Sequence, residues 1–363
     1  MTRTVFTVLI LLFFGNVHFA QTYSVSGNVA NAATKETIPI CNVYFSGSTI
    51  GTMTDADGNF EIKGVQPGTY DLVVSHISYD FQSFPIKVID KDIEIGNVRL
   101  KEKEIEESYA EVKDKVDRKW RRQFNRFKKY ILGKNYREKD IEIPNSYVAE
   151  FQEVQGALVK KEPFTLEIRN KYTGYTIYYP VQEFILGSGT EQFMVGFPRF
   201  EFMEAQDATQ ESLWVKNRKE AYSGSLRHFL GSIVNNTFEE NRFKVEITNI
   251  SPLAGPNVQK ASNDYTLRLE PDEMPDKFLI EDTKNEQIKK VTFSGFLKMT
   301  YFGEVGSRGG GQSTYLEAPQ GSIFVFTNGI IVDPTSIIVY GYLASEGLYE
   351  MLPFDYELPE EIK

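Results

Sequence analysis

The segment Gly51-Thr-Met-Thr-Asp-Ala-Asp-Gly-Asn-Phe-Glu-Ile62 combines a tight turn with the start of a β-strand. Asp57-Gly58 supplies a turn that can reach positive φ, where glycine is the least strained residue. After this turn, Phe60 and Ile62 lie two positions apart, so both side chains point to the same face of a strand. The segment therefore predicts a turn followed by a strand with one apolar face.

The loop Asp55-Ala-Asp-Gly-Asn59 allows a second interpretation, the start of a calcium loop. A calcium loop continues to a distal glutamate and supplies about six or more oxygen ligands. Glu61 follows too early for that ligand, and strand alternation turns it to the face opposite Phe60. The interpretation as a turn is therefore favoured over calcium binding.

Similar turn and strand signals lie on both sides of this segment. Pro67-Gly68 is a turn pair, and Tyr70 and Leu72 belong to an alternating run that follows it. Other β-rich runs lie at residues 23–29, 38–45, 84–89 and 93–100. About seven short strands at this spacing predict an antiparallel β-sandwich over residues 21–100.

The motif residues of this region follow the order Gly27-x-Val29, Pro39-x-x-x-Val43, Gly51-Thr-x-Thr-Asp55-x-x-Gly58-x-Phe60 and Gly68-x-Tyr70-x-Leu72. This order resembles the carboxypeptidase regulatory-like domain, over about a fifth of the chain. The resemblance implies a transthyretin-like sandwich of about seven strands and, despite the family's name, no peptidase activity. It also implies an accessory module at the start of an envelope protein, as in outer-membrane receptors. One departure is Ser78 before Tyr79, where the family usually has glycine.

Residues 1–20 have the pattern of a secretory signal peptide. Arg3 is the positive residue, an apolar run follows at residues 5–14, and Val17-His-Phe-Ala precedes Gln21. The run is well short of the ~20 residues that span a bilayer, which argues against an uncleaved anchor. No cysteine follows the cut, so lipidation is not expected there, and no later stretch predicts a transmembrane helix. We predict an exported protein that is periplasmic or outer-membrane-associated.

Composition excludes several kinds of site. The 363-residue chain has a formal net charge of −10, which does not favour general nucleic-acid binding. After the signal, the sequence contains only His76 and His228, so a histidine-rich zinc site is excluded. The single Cys41 lies in an apolar run, cannot form an internal disulfide and is expected to pack in the core. We predict no metal and no cofactor.

After residue 100 the hydrophobic period becomes that of a helix. Apolar residues recur every three or four positions from Ile105 to Ile131, with acidic residues in the first turns and basic residues in the later ones. This charge order complements the helix dipole, and Gly133 is a suitable stop. We predict a charged amphipathic helix within residues 101–138 that packs on a sheet.

The basic end of that helix allows two interpretations. Its charges form either a solvated face or a contact for phosphates on a lipid headgroup, a polysaccharide or a nucleic acid. The residues that would contact an anionic partner are Arg121, Arg122, Lys128 and Lys129. A solvated face is favoured, because the apolar stripe is long and includes Trp120.

From residue 141 onward, β-strand patterns dominate. They lie at residues 146–154, 164–170, 175–184, 192–198, 243–247, 265–270, 290–302, 322–327 and 336–343. Gly295 interrupts the longest run and is expected to mark a bulge. One helix is predicted over residues 217–234, where Tyr222 and Phe229 share an apolar stripe. We expect a curved sheet or incomplete barrel with this helix packed across it.

Two segments of this region resemble a group of uncharacterised exported proteins. They are Ile168-Arg-Asn-Lys-Tyr-Thr-Gly-Tyr-Thr-Ile-Tyr-Tyr179 and Asn217-Arg-x-x-Ala-Tyr-x-Gly-Ser-x-Arg-His-Phe-Leu230. In those proteins a regulatory-like domain precedes a β-rich region. The resemblance implies this architecture and no known activity.

Ser225 and His228 are the one pair that suggests a nucleophile. Residues three apart on a helix face the same way, but a serine activated by histidine also needs an orienting acid and an oxyanion hole. The strained turn G-x-S-x-G is absent, and Arg218 and Arg227 suit a carboxylate or phosphate better than acyl transfer. We therefore favour binding over catalysis and assign no catalytic residue. The candidate ligand-binding residues are Arg218, Tyr222, Ser225, Arg227 and His228.

Together these patterns predict a mainly β protein. An N-terminal β-sandwich is joined by the charged helix to a larger antiparallel β domain, a curved sheet or partial barrel with one packed helix. The predicted division is a signal peptide at residues 1–20, the sandwich at 21–100, the helix at 101–138 and the C-terminal β-rich domain at 139–363. The predicted function is that of an exported non-enzymatic binding or scaffold protein of the bacterial cell envelope, whose partner is an envelope protein or a glycan. The alternatives are a hydrolase of envelope or imported polymers that uses residues 217–228, and a lipid carrier built on the curved sheet.

Overall fold

The N-terminal part of the chain is a β-sandwich. The computed structural model describes residues 22–103, 118–187, 192–249, 278–303 and 311–359, so the predicted signal peptide lies outside the described residues. The first seven strands are β1 (Tyr23–Asn31), β2 (Asn42–Phe45), β3 (Gly51–Met53), β4 (Asn59–Val65), β5 (Gly68–His76), β6 (Tyr79–Val88) and β7 (Ile93–Leu100). They form a three-stranded sheet in the order β4-β1-β7 and a four-stranded sheet in the order β3-β2-β5-β6. The predicted seven-stranded sandwich is confirmed.

The two sheets enclose an apolar core. Val29 is one of its fully buried side chains, and Cys41 packs with it in the core, as predicted. The turn before β4 also has the predicted form, because the Asp55 carboxylate accepts the N–H groups of Asp57 (2.9 Å) and Asn59 (2.8 Å). Local turn chemistry therefore sets the entry to β4.

One pairing in the sandwich differs from the antiparallel prediction. β1 pairs antiparallel with β4 but parallel with β7, where Val29 lies opposite Val98. A parallel pair needs a long connection, and the five strands between β1 and β7 supply it. The side-chain alternation of a strand is the same in both orientations, so the sequence pattern did not distinguish them.

The charged helix lies on a second sheet. α1 spans Arg118–Leu132, and Phe124 and Phe127 are among its buried side chains. Gly133, at φ +82°, follows its last residue, as predicted. Residues 104–117 of the predicted helix lie outside the described residues.

The second sheet is curled into the form of half a barrel, which confirms the predicted curved sheet. Its strands are β8 (Ile141–Glu142), β9 (Phe151–Val154), β10 (Ala157–Lys160), β11 (Phe164–Asn170), β12 (Tyr175–Leu186), β13 (Gln192–Gly196) and β14 (Arg199–Phe202). The order is β8-β11-β12-β10-β9, and β13 and β14 also pair with β12. Phe127 of α1 packs in the hollow of this sheet, with its ring 5.1 Å from that of Phe151 and 4.8 Å from that of Phe184.

The single helix predicted over residues 217–234 is two helices. α2 spans Ala208–Tyr222 and α3 spans Leu226–Val234. Between them, Gly224 adopts φ +81° and Ser225 caps the first turn of α3. The apolar stripe continues across this break, which is why the pattern predicted one helix. None of the described helices is both long and apolar enough to cross a membrane.

The remaining strands form two smaller sheets that share an apolar core with α3. They are β15 (Phe243–Thr248), β16 (Leu279–Asp282), β17 (Ile288–Thr292), β18 (Phe296–Tyr301), β19 (Ser313–Glu317), β20 (Ser322–Phe326) and β21 (Ile338–Gly341). The sheets have the orders β15-β18-β19-β21 and β16-β17-β20. The strand predicted at residues 290–302 is thus two strands in different sheets, and Gly295, at φ +67°, lies between them and not in a bulge. The strand predicted at residues 265–270 lies outside the described residues.

Replacing Gly133 by alanine is expected to destabilise the protein more than the matched change at Gly156. Both glycines have left-handed backbone, φ +82° and +83°, where alanine costs about 1–2 kcal/mol. A Cβ at Gly133 would also lie 2.6 Å from the backbone nitrogen of Gly347, whereas the space at Gly156 is open. Chemical denaturation should show the larger loss of unfolding free energy for Gly133→Ala. Equal losses of unfolding free energy would contradict close packing of Gly347 on the C-terminal end of α1.

Candidate ligand-binding site

A row of side chains on α2 holds the turn between β11 and β12. Each donates a hydrogen bond to a backbone carbonyl of residues 171–174. The pairs are Trp214 Nε1 to Lys171 (2.9 Å), Asn217 Nδ2 to Tyr172 (2.7 Å) and Arg218 Nε to Thr173 (2.7 Å). Successive donors come from one face of the helix, so α2 is fixed in rotation as well as in position.

Arg218 is held in one orientation by this row. Besides its bond through Nε, it donates through Nη2 to the Gly174 carbonyl (3.3 Å). Its guanidinium lies 4.4 Å from the ring centroid of Tyr175 and 5.3 Å from that of Phe202, at cation–π distance from both. Burial raises the pKa of Tyr175 to about 12, so its ring stays neutral. Nη1 of Arg218 has no hydrogen-bond partner among the described residues.

The sandwich and the curled sheet are joined along a seam of backbone hydrogen bonds. The Gly47 N–H donates to the Pro198 carbonyl (2.6 Å), and the Phe200 N–H donates to the Ser48 carbonyl (2.9 Å). These bonds place the β2–β3 loop of the sandwich next to β14.

Residues 353–359, which we call the C-terminal segment, cross this seam. Its Phe354 ring packs against the sandwich core. The Asp355 carboxylate accepts the Thr49 N–H (2.9 Å) and also the hydroxyl of the same residue. Arg227 of α3 donates through Nη1 to the Pro353 carbonyl (3.2 Å). The segment therefore contacts the sandwich and α3 at once.

A pocket of about 220 Å³ lies where the seam, α2 and the C-terminal segment meet. Its walls include Thr49, Phe202, Arg218, Asp355, Tyr356 and Glu357, and we call it the seam pocket. The Phe202 side chain is 63% exposed. The Tyr356 hydroxyl is buried and has no hydrogen-bond partner within the described ranges. The lining of the pocket thus includes aromatic rings, the cation of Arg218 and two carboxylates.

Of the five candidate ligand-binding residues, Arg218 alone lines the seam pocket. Tyr222 lies behind the pocket wall, with its ring 6.0 Å from that of Tyr356. The Tyr222 ring lies 5.8 Å from the guanidinium of Arg227 and 5.1 Å from the His228 ring. Tyr222, Arg227 and His228 therefore support the wall, and a direct role in binding stays a prediction for all five.

Ser225 and His228 meet, but not as a nucleophile and its base. The Ser225 Oγ accepts the backbone N–H of His228 (3.2 Å) and so caps α3. The His228 Nδ1 accepts the backbone N–H of Gly224 (3.0 Å). Activation would need a ring nitrogen within hydrogen-bond reach of the serine hydroxyl, whereas Nδ1 is engaged with the backbone. Both side chains stabilise the junction between α2 and α3.

The His228 ring is enclosed by aromatic side chains. The ring centroids of Phe243 and Tyr301 lie 4.9 Å and 6.1 Å from it. Burial lowers the pKa of His228, so its ring is neutral at pH 7. A neutral ring also keeps Nδ1 available as an acceptor for the Gly224 N–H.

The sequence predicts Arg218 as a ligand-binding residue but not the other residues of the seam pocket, among them Phe202, Asp355 and Tyr356. Phe202 reaches the pocket because β14 pairs with β12, which sets it opposite Tyr175. Asp355 and Tyr356 reach it through the path of the C-terminal segment. No local pattern marks these positions, since each depends on a contact between distant parts of the chain.

The predicted anionic-partner residues lie on α1, where three of the four share a surface. Arg121, Arg122 and Lys129 are exposed, and among the described residues no acidic side chain pairs with them. Lys128 is different, because it is half-buried and pairs with Glu138. Its hydrogen bond lowers the pKa of the Glu138 carboxyl. Lys128 therefore does not belong to the free basic face.

Substitutions at Ser225 distinguish a role as a helix cap from a role as a catalytic nucleophile. Ser225→Ala should lower the unfolding free energy by about 1 kcal/mol, because the cap is lost. Ser225→Asn should retain most of the stability, since asparagine also caps helices but cannot act as a serine nucleophile. Chemical denaturation measures the first effect, and hydrolysis of a generic aryl ester measures the second. An esterase activity that both variants lose would restore the hydrolase alternative.

Acid is expected to weaken the α2–α3 junction through His228. Because burial lowers its pKa, the unfolded chain binds a proton at a pH where the folded chain does not. The contribution of His228 to the unfolding free energy is complete above the ordinary histidine pKa of about 6.5. It decreases as the pH falls towards the lower pKa that His228 has in the folded state. His228→Asn retains an acceptor and does not titrate. It should therefore reduce the difference in unfolding free energy between pH of about 7.5 and 5.5.

The matched control for this measurement is His76→Asn. The pKa of His76 is also lowered by burial, and its Nδ1 also accepts a backbone N–H, that of Ser78 (3.2 Å). Its ring lies nearer to solvent in the sandwich, so we expect a smaller reduction of the pH dependence. Equal reductions in the two variants would contradict a special role of the α2–α3 junction.

Solved structures resemble parts of this chain at low TM-scores. A cohesin–X-dockerin complex from Acetivibrio cellulolyticus is 25% identical over 21% of this chain and 52% of that one, with a TM-score of 0.19. The pilus 2b backbone protein of group B streptococcus is 16% identical over 22% and 40%, with a TM-score of 0.19. A DUF3823 family protein from Parabacteroides merdae is 12% identical over 50% and 81%, with a TM-score of 0.17. TM-scores this low support no further conclusion.

The N-terminal sandwich has clearer relatives. The TonB-dependent receptor SusC of Bacteroides thetaiotaomicron is 32% identical over an alignment of 107 residues in this N-terminal region, and the match covers 26% of this chain and 10% of the receptor. The chain thus matches about a tenth of the length of that curated relative. The family model of the CarboxypepD_reg-like domain matches residues 25–112. This part of the chain is a carboxypeptidase regulatory-like domain, as its turn motifs predicted.

Proposed function

We propose that the chain is an exported, non-enzymatic binding or scaffold protein of the bacterial cell envelope, periplasmic or outer-membrane-associated. Its partner is an envelope glycan or an envelope protein, bound at the seam pocket. The proposal includes the division of the chain into residues 1–20, 21–100, 101–138 and 139–363. Its central observation is the exposed Phe202 ring beside the fixed guanidinium of Arg218.

The location in the envelope is supported by the N-terminal region. Residues 1–20 have the pattern of a secretory signal. The regulatory-like domain that follows is similar to part of SusC, which is a TonB-dependent receptor. Export and envelope association are consistent with both observations.

A binding role is supported by the state of the candidate nucleophile. The oxygen of Ser225 accepts a backbone N–H as a helix cap, and the Nδ1 of His228 accepts another. These bonds give both residues a structural function that needs no substrate. The seam pocket, by contrast, has polar groups without protein partners, which is a feature of ligand sites.

The chemistry of the seam pocket favours a glycan. A sugar presents an apolar C–H face to an aromatic ring and hydroxyl groups to charged and polar neighbours. Phe202 provides the ring, Arg218 Nη1 a donor and Glu357 an acceptor at the rim. The volume of about 220 Å³ is below the range of about 300–1,000 Å³ for pockets of drug-sized ligands, so the proposed ligand is a single sugar unit of a longer chain.

Phe202→Ala is the most direct test of this site, because the side chain is largely exposed and contributes little to the core. We expect the purified chain to bind oligosaccharides released from its own envelope, and Phe202→Ala to weaken binding about tenfold or more, as for loss of a central aromatic anchor. The matched control is Leu213→Ala on α2, which removes a side chain that is 53% exposed and does not line the pocket. Isothermal titration calorimetry measures both affinities.

The outcomes of this experiment separate the glycan from the protein partner. If no oligosaccharide binds but an envelope protein is captured by the wild type and not by Phe202→Ala, the pocket serves the protein partner. Equal weakening by Phe202→Ala and Leu213→Ala would remove the seam pocket from the proposal. Binding that neither change affects would place the ligand elsewhere on the chain.

A further inference from the structure

A stripe of basic side chains runs along the exposed face of α1. Its members are Arg118, Arg121, Arg122, Asn125, Arg126 and Lys129, and they line a shallow depression of about 420 Å³ that is open to solvent. They recur at three and four positions, so they lie on one side of the helix. From the first to the last, the stripe is about 16 Å long.

Within the part of the chain that the structure describes, these charges have no acidic partner. Five of the six residues are cationic, and no acidic side chain in the described ranges pairs with any of the five. The neighbouring Lys128, which does not line the depression, is the one that pairs with Glu138. In a chain with a net charge of −10, the stripe is a local concentration of the opposite sign.

The spacing of like charges along the stripe is unfavourable for the helix itself. Arg122 follows Arg118 by four positions and precedes Arg126 by four, so like charges are neighbours along the stripe. Each such pair destabilises a helix by a few tenths of a kcal/mol, about 0.2–0.5. This repulsion opposes the favourable interaction of the basic residues with the helix dipole, and an external anion would relieve it.

The opposite face of α1 anchors the stripe. Phe124, Phe127 and Ile131 are buried in the core of the curled sheet. Trp120 Nε1 donates to the Ala149 carbonyl (2.8 Å), so the aromatic ring of the charged segment turns towards the protein. The cations are thus presented on a rigid support and need no rearrangement to meet a partner.

From this geometry we infer that the α1 stripe docks on an anionic lipid surface. The depression is shallow and none of its cations is buried, so it lacks the enclosure that a small anion needs for tight binding. A line of exposed cations is instead suited to the extended negative surface of an anionic membrane. There each cation adds its own attraction to the free energy of binding. The stripe contains no aromatic or aliphatic residue, so contact is electrostatic and does not require insertion. This surface is separate from the seam pocket and extends the proposed function by an orientation on the membrane.

Vesicle flotation of the full chain tests this inference. The wild type should bind vesicles of phosphatidylcholine mixed with phosphatidylglycerol, should not bind phosphatidylcholine alone, and should dissociate as salt is raised. The double variant Arg121→Glu/Arg122→Glu should lower the apparent affinity about tenfold or more. The matched control is Lys87→Glu/Lys91→Glu, two exposed lysines of the sandwich region with the same change in net charge. It should bind like the wild type.

Three results would overturn the inference. They are absence of vesicle binding by the wild type, equal loss of binding in both double variants, and a preference for double-stranded DNA over vesicles that is lost with Arg121→Glu/Arg122→Glu. Thermal unfolding checks that both variants fold, and Arg126→Gln, which removes one charge without reversal, should give a smaller loss in the same direction. Oligosaccharide binding through Phe202 should be unchanged in the stripe variant, so failure of one proposal leaves the other measurable.

Discussion

The hydrogen bonds between α2 and the β11–β12 turn are the constraint on which the C-terminal half of the structure depends. The carbonyls of residues 171–174 accept hydrogen bonds from Trp214, Asn217 and Arg218. A buried polar group left without its partner costs about 1–3 kcal/mol, so helix and turn are stable together and costly to separate. Since the donors lie in one row, they also fix the rotation of α2. That rotation places the Arg218 guanidinium beside Phe202 and so creates one wall of the seam pocket.

The same turn directs the C-terminal segment towards the seam. The Asn170 side chain accepts N–H groups of the turn and donates to the Tyr349 carbonyl (2.9 Å). Gly174 has φ +72°, and a Cβ at this position would overlap the Trp214 ring. The turn is therefore fixed by shape on one side and by hydrogen bonds on the other. Because Tyr349 is held there, the residues that follow it cross to the sandwich and complete the pocket.

These contacts explain which features were predictable. The sandwich depends on turns such as Asp57-Gly58, whose partners are adjacent in the sequence, so local patterns identified both the strands and the domain family. The seam pocket joins β14, α2 and residues 353–359, and the periodicity of the sequence shows none of these contacts. The helix break is an intermediate case: Gly224 and Ser225 were visible, but Ser225 was considered as a nucleophile and not as a cap. Two segments resemble uncharacterised exported proteins, residues 168–179 and 217–230. The hydrogen bonds from α2 to the β11–β12 turn bring these segments together. Comparison of each segment alone does not show this contact.

Burial determines how this acidic chain uses its arginines. Arg218 and Arg227 are half-buried, donate to backbone carbonyls and lie beside aromatic rings, so their charges are offset within the protein. Burial lowers the pKa of Arg227, which shows that desolvation opposes its charge even with these partners. Arg121 and Arg122 are exposed to water, where salt strongly screens the attraction between charges. The half-buried arginines are therefore suited to stabilising the wall of a pocket. The exposed arginines bind a partner only if it presents many negative charges on one surface.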